Sequence, residues 1–134
     1  MFNETIEPYY GSPETMAKGG DERRGLTDYG TAMFFYAKSI DMLHSNYGHL
    51  GMERRRPSPA DTVIIDAYAE SLALVSQFHP EAPITPCVRE VTHRLRSIST
   101  ECDRVGLSSS LYRNGLDRIA QIAPHVPVDD VVWT

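Results

Sequence analysis

Two carboxylate–histidine pairs are the clearest chemical feature of the sequence. Asp41 and His44 are three positions apart, and so are Glu90 and His93. On a helix this spacing puts both side chains on one face. Helical bundles that hold two metal ions use such pairs, together with a further carboxylate from each of two other helices. One hypothesis is therefore a metal-dependent helical-bundle enzyme.

The helix that would carry Glu90 and His93 argues against that site. Apolar residues between positions 84 and 105 recur at alternating spacings of four and three, which is typical of a helix that packs along its whole length. Glu90 and His93 fall outside this apolar stripe, so we expect them at the surface. Glu70 and Asp117 are the candidates for the further carboxylates. We predict no bound metal and no cofactor.

Other catalytic patterns are missing from the sequence. It contains no G-x-S-x-G turn, no phosphate-binding glycine loop and no C-x-x-C pair. Cys87 and Cys102 fall on one predicted helix about 22 Å apart, beyond the reach of a disulfide, so we expect free thiols. These observations favour a protein that is not an enzyme.

Arginines make nucleic-acid binding a further hypothesis. The candidate contacts are Arg54, Arg55 and Arg56 in a predicted loop, with Arg89 and Arg96 on a predicted helix. The net charge of −5 argues against it, because domains that bind the phosphate backbone normally carry a basic excess. We therefore rank nucleic acid below protein as a partner.

The elements that must position these residues are helices in one domain. A chain of 134 residues, 41% hydrophobic and 23% charged, has the size and composition of an ordinary globular domain. No apolar run reaches the roughly eighteen residues of a membrane span, and the first residues lack a signal-peptide layout. We expect a cytoplasmic protein without membrane contact.

Apolar spacings of three and four predict four helices. They cover residues 27–48, 58–78, 85–105 and 110–123. Gly115 lies inside the fourth, where it costs about 1 kcal/mol relative to alanine, and this indicates a close helix crossing. We predict an all-α fold, either a four-helix bundle or stacked helical hairpins. Residues 26–124 form the domain, residues 1–25 a flexible N-terminal arm and residues 125–134 a short C-terminal tail.

The first predicted helix resembles part of a known repeat. From Tyr29 to Ile40 it reads Tyr-x-x-Ala-x-x-x-Tyr-x-Lys-Ser-Ile. This resembles the second helix of a tetratricopeptide repeat, with Ala32, Tyr36 and Ser39 at its small, aromatic and small packing positions. No second copy follows at a period of about 34 residues. The resemblance implies a scaffold that binds proteins and supplies no catalytic residues.

Some apolar residues exceed what the four helical stripes need. Phe34 and Phe35 flank the stripe of the first helix, and Val131, Val132 and Trp133 lie near the C-terminus. Clusters of this kind often mark association surfaces. Alternatively, the tail folds back over Phe34 or Phe35 in the same chain. We predict a non-enzymatic adaptor, small regulator or assembly subunit that binds a protein partner or a second copy of itself.

Overall fold

The computed structural model describes residues 11–48 and 56–126. In these ranges the chain forms five helices and no strand: α1 (Pro13–Gly25), α2 (Tyr29–Gly48), α3 (Pro59–Phe78), α4 (Thr85–Arg104) and α5 (Ser110–Ile122). The all-α prediction is confirmed, and α2 to α5 correspond to the four predicted helices. None of these helices is long and apolar enough to cross a bilayer.

The helices begin and end where local chemistry requires it. Pro59 opens α3 directly after Ser58, with Asp61 in the first turn, where the helix dipole favours a carboxylate. At the end of α4, Gly106 adopts a φ of 81°, and the Leu107 N–H donates to the carbonyl of Cys102 at 2.8 Å. Glycine fits this left-handed position without strain, so the chain can turn sharply into α5.

Helices α2 to α5 pack as two antiparallel hairpins laid side by side. The ring of Tyr29, at the start of α2, stacks on that of Phe78, at the end of α3. Arg113 of α5 pairs with Asp103 of α4, and a Cβ atom at Gly115, two residues later, would lie 3.7 Å from Leu95, eight residues earlier in α4. The second hairpin is therefore antiparallel too. Helix α2 also packs on α4, and α3 on α5. The apolar core lies between the hairpins.

The core contains the stripes that the sequence predicted. Along α4 every inward position is buried: Val88, Val91, Leu95, Ile98 and Cys102. Cys87 and Cys102 are both free thiols, as expected. A Cβ atom added to Gly115 would lie 2.7 Å from Cγ2 of Ile65, so this glycine permits the close crossing of α5 over α3.

The prediction of a flexible arm up to residue 25 is wrong for α1. The Ser12 side chain caps this helix by accepting from the Thr15 N–H at 3.0 Å, and Pro13 occupies the first helical position. Met16 is fully buried and packs with Phe35 of α2 in a small second cluster. Residues 1–10 lie outside the described ranges.

Helix α1 is held against α2 by close contact and by hydrogen bonds. A Cβ atom at Gly20 would lie 2.6 Å from the ring of Tyr36, so only glycine fits there. The Tyr36 hydroxyl donates to Asp21 at 2.5 Å, and the Ser39 hydroxyl donates to the Pro13 carbonyl at 2.6 Å. Gly20 thus allows the two helices to meet.

Candidate functional site

The structure brings the two carboxylate–histidine pairs together on the outside of α2 and α4, around an arginine. Nε of Arg94 lies 3.0 Å from a carboxylate oxygen of Asp41, and its terminal nitrogen lies 2.6 Å from Glu90. We call Asp41, His44, Glu90, His93 and Arg94 the Arg94 cluster. The predicted pairs are therefore adjacent, but the carboxylates of Asp41 and Glu90 both form ion pairs with the guanidinium of Arg94.

The electrostatics of the Arg94 cluster favour neutral histidines. Burial lowers the pKa of His44, and the positive charge of Arg94 lowers it further, against the opposing effect of Asp41. The pKa of His93 is lowered for the same two reasons. Glu90 is exposed and His93 partly exposed, as the apolar stripe of α4 predicted.

The carboxylates proposed for a two-metal site do not converge on the Arg94 cluster. Glu70 instead pairs with Arg24 of α1 and lies 3.8 Å from Arg118 of α5. Asp117 lines a groove between α4 and α5. Within residues 11–48 and 56–126, no three His, Cys, Asp or Glu side chains are grouped as metal ligands. The bundle-type arrangement of ligands is therefore not formed.

Two buried polar pairs escaped the sequence analysis. The Tyr112 hydroxyl of α5 donates to the Asp61 carboxylate of α3 at 2.5 Å, and both side chains are fully buried. Tyr68 and Cys87 lie 3.6 Å apart at their polar atoms, and burial raises the pKa of the Cys87 thiol. A thiol in this state is a poor nucleophile. Both pairs join helices, and we assign them no chemistry.

The arginines of the nucleic-acid hypothesis are scattered. Arg56 and Arg89 are exposed, and Arg96 lines the α4–α5 groove. Arg54 and Arg55 lie outside the described residues. Other arginines are paired with carboxylates on the surface: Arg24 with Glu70, Arg104 with Glu101, Arg113 with Asp103 and Arg118 with Asp66.

The two neighbouring phenylalanines of α2 have opposite surroundings. Phe34 is 46% exposed on the outward face of α2, in line with Lys38 and Asp41. Phe35 is fully buried against Met16 of α1, so it is not available to a partner, and this part of the prediction is wrong. Val131 to Trp133 lie outside the described residues.

An apolar surface that the sequence analysis missed lies at the end of the first hairpin. Leu26, between α1 and α2, is 69% exposed, and Phe78, the last residue of α3, is 56% exposed. Tyr29 stacks on Phe78, with ring centroids 6.0 Å apart. We call these three residues the Leu26–Phe78 patch. The available signal in the sequence was the place of Phe78 at the end of its predicted helix, residues 58–78.

A second surface feature is an open groove of about 780 Å³ between α4 and α5, the α4–α5 groove. Its walls include Arg96 and Ser99 of α4 and Leu116 of α5, and Val126 lines it after α5 ends. The hydroxyl oxygen of Ser99 is buried and has no hydrogen-bond partner within residues 11–48 and 56–126. The groove is thus part apolar and part polar.

In the described ranges these features define an all-α protein of helices packed against each other, with an aromatic surface patch and an open groove. Comparison of the chain with protein-family models, with curated proteins and with solved structures gave no match. The argument for function therefore rests on the residues described above.

Proposed function

We propose that the chain is a non-enzymatic protein–protein interaction module that binds through the Leu26–Phe78 patch. The observation that carries this proposal is the exposure of Leu26 and Phe78, at 69% and 56%, whereas most other large apolar side chains within residues 11–48 and 56–126 are buried. Aromatic residues in such positions are frequent hot spots of protein interfaces. The partner it fits is an apolar protein surface.

The state of the polar side chains supports a role without catalysis. In the Arg94 cluster, the carboxylates of Asp41 and Glu90 both pair with Arg94. The buried carboxylate of Asp61 accepts from Tyr112. Cys87 keeps its proton because burial raises its pKa. The groups best suited to acid–base or nucleophilic chemistry are thus engaged in holding helices together.

The tetratricopeptide-like stretch of α2 favours the same class of protein. Ala32, Tyr36 and Ser39, at its three packing positions, are all fully buried. Such repeats present surfaces to other proteins and carry no reaction themselves. The patch begins at Tyr29, the first residue of this stretch.

Burial of Phe78 by a partner would supply a large share of the binding energy. Complete burial of a phenylalanine side chain contributes about 1.5–3 kcal/mol. Phe78 is 56% exposed before binding, so about half of this remains to be gained, which at tenfold per 1.4 kcal/mol corresponds to roughly a 3- to 12-fold change in Kd. Phe78→Ser should therefore weaken the complex by about that factor. The stacked Tyr29 keeps the Phe78 ring in place and reduces the entropy lost on binding.

The test compares two exposed apolar positions on one helix. Val63 is 66% exposed near the start of α3, far along the helix from Phe78, and is the matched control. A photo-activatable phenylalanine analogue is placed at either position of the full chain in its own cells. We expect specific cross-links to a second copy or to a foreign protein from position 78 and not from position 63.

Purified variants then test the patch quantitatively. The molar mass by light scattering, or the Kd for the cross-linked partner, is measured for the unmodified chain, Phe78→Ser and Val63→Ser. Loss of association in Phe78→Ser alone supports the proposal. Equal cross-linking from both positions, or association that neither substitution weakens, would contradict it.

A further inference from the structure

We propose that residues 127–134 dock into the α4–α5 groove of the same chain, with Val131, Val132 and Trp133 covering its apolar part. This inference is independent of the Leu26–Phe78 patch, because it uses another surface and needs no partner. It assigns the groove an occupant, and it assigns the C-terminal apolar cluster an intramolecular site.

The shape of the groove allows one additional chain segment to pack between α4 and α5. On α4 it is lined by Arg96, Ser99 and Asp103, and on α5 by Leu116 and Ala120. These positions follow the three-and-four spacing of a helix face that packs against a neighbour. Because α4 and α5 are antiparallel, their two faces run side by side along the groove. No other described helix covers them.

The chain leaves the described region at one end of this groove. Pro124 and Val126 both line the groove, and Val126 is almost completely buried. Eight extended residues span at most about 28 Å, whereas the thirteen residues of α5 are about 20 Å long. The segment that follows Val126 can therefore reach every point of the groove.

The groove is lined by side chains of both signs: Arg96 and Arg113 are positive, and Asp103 and Asp117 are negative. Asp129 and Asp130 are the only charged side chains of residues 127–134, and both are negative. Arg113 already pairs with Asp103 at the far end of the groove. Arg96 lies seven residues before Asp103 on α4, about 10 Å nearer the point where the chain emerges. Asp129 and Asp130 follow within reach of this arginine.

The Ser99 hydroxyl can form a hydrogen bond with the backbone of a segment that docks in the groove. Its residue is 5% exposed, and its hydroxyl oxygen has no hydrogen-bond partner among the described residues. A buried hydroxyl left in this state destabilises the folded protein, because it has lost its hydrogen bonds to water. An extended segment offers backbone N–H and C=O groups, and a hydrogen bond between one of these and Ser99 removes that destabilisation.

The tether strengthens the docking without further contacts. A short covalent connection keeps the segment at an effective concentration in the millimolar range. An apolar side chain such as Trp133 then docks although its own contacts are few. A competing partner for the groove would have to displace it.

Trp133 provides a direct measurement, because it is the only tryptophan of the chain. Its emission maximum and its quenching by acrylamide are recorded in the full chain and in a synthetic peptide of residues 127–134. We expect a blue-shifted maximum and weaker quenching in the full chain than in the peptide. Equal emission and equal quenching in both would overturn the proposal.

Two leucines of α5 offer matched variants. Leu111 and Leu116 are both half-buried and pack against the core, but only Leu116 lines the groove. We expect Leu116→Ser to raise the quenching of Trp133 to that of the peptide, and Leu111→Ser to leave it low. Circular dichroism melts confirm that both variants are folded. An equal rise in both variants would contradict docking in the groove.

A cross-link locates the docked segment even if Leu116→Ser does not fold. A photo-activatable analogue at position 133 of the full chain is irradiated at low concentration, and mass spectrometry identifies the attached peptide. We expect attachment within α4 or α5 of the same chain. Attachment to α2, near Phe34, or between two chains would overturn the proposal.

Discussion

Arg94 determines what the residues around it can do. The sequence identified Asp41, His44, Glu90 and His93 as residues able to act together, and the structure places them together. The sequence analysis did not anticipate the guanidinium between the carboxylates. Spacing along one helix predicts which side chains share a face, but the register between two helices decides which charge lies opposite.

The stability of the protein should fall on acidification through His44. Its pKa is lowered in the folded state by burial and by Arg94, so folding favours the neutral imidazole. This contribution is fully present above the usual histidine pKa of about 6.5, and it is lost as the pH falls through the lowered pKa of the folded protein. We expect His44→Gln to show a smaller loss of unfolding free energy on acidification.

Chemical denaturation at a series of pH values measures this effect. Asp41, Glu90 and His93 remain in the His44→Gln variant, so the difference between the two profiles isolates His44. Parallel profiles for the two proteins would show that His44 does not couple folding to pH.

At the scale of single elements, α1 is the helix that the apolar periodicity of the sequence does not predict. The stripes of α2 to α5 and the cap at Gly106 were readable because apolar periodicity and glycine chemistry are local. Helix α1 contributes little more than Met16 to an apolar cluster, and its glycines suggested a flexible arm. Its stability comes from contact with Tyr36 and Ser39 of α2, which no local pattern reports.

Phe34 and Phe35 provide a matched pair for the attachment of α1. We expect Phe35→Ala to reduce the free energy of unfolding by about 3–5 kcal/mol, because it removes a fully buried ring that packs on Met16. Phe34→Ala should change it by less than about 1 kcal/mol, because that ring is half exposed. Urea titration measures both.

Hydrogen exchange then reports which element is released. In Phe35→Ala the amides of α1 should lose more protection than those of α4 and α5, whose loss is limited to the fall in global stability. Similar losses of stability in the two variants would mean that α1 is not fastened through Phe35.

At the scale of the whole molecule, the two hairpins meet at close helix crossings. The sequence predicted an all-α chain of helical stripes and a close approach at Gly115, and the structure confirms both. Bundle and stacked hairpins bury the same stripes, so the sequence left both arrangements open. The Leu26–Phe78 patch was missed because periodicity assigns a residue to a face without showing where the neighbouring helix ends.

Two helical glycines test the crossing. Gly115→Ala should destabilise the protein by about 1–3 kcal/mol, because its methyl group would clash with the branched side chain of Ile65. Gly30→Ala in α2 meets no atom within 4 Å and should stabilise the protein by up to about 1 kcal/mol through helix propensity. Thermal melts of both variants measure these changes in stability. A stabilising effect of Gly115→Ala would contradict the close crossing of α5 over α3.

The hydrogen bond between Tyr112 and Asp61 has a consequence for synthesis of the chain. Its two residues are 51 positions apart, and the neighbouring pair Arg118 and Asp66 is separated by 52. While the chain is being translated, α3 leaves the ribosome well before α5 and presents an apolar flank and a carboxylate that has not yet met Tyr112. Such nascent intermediates attract chaperones. Completion of the core therefore waits for the last described helix.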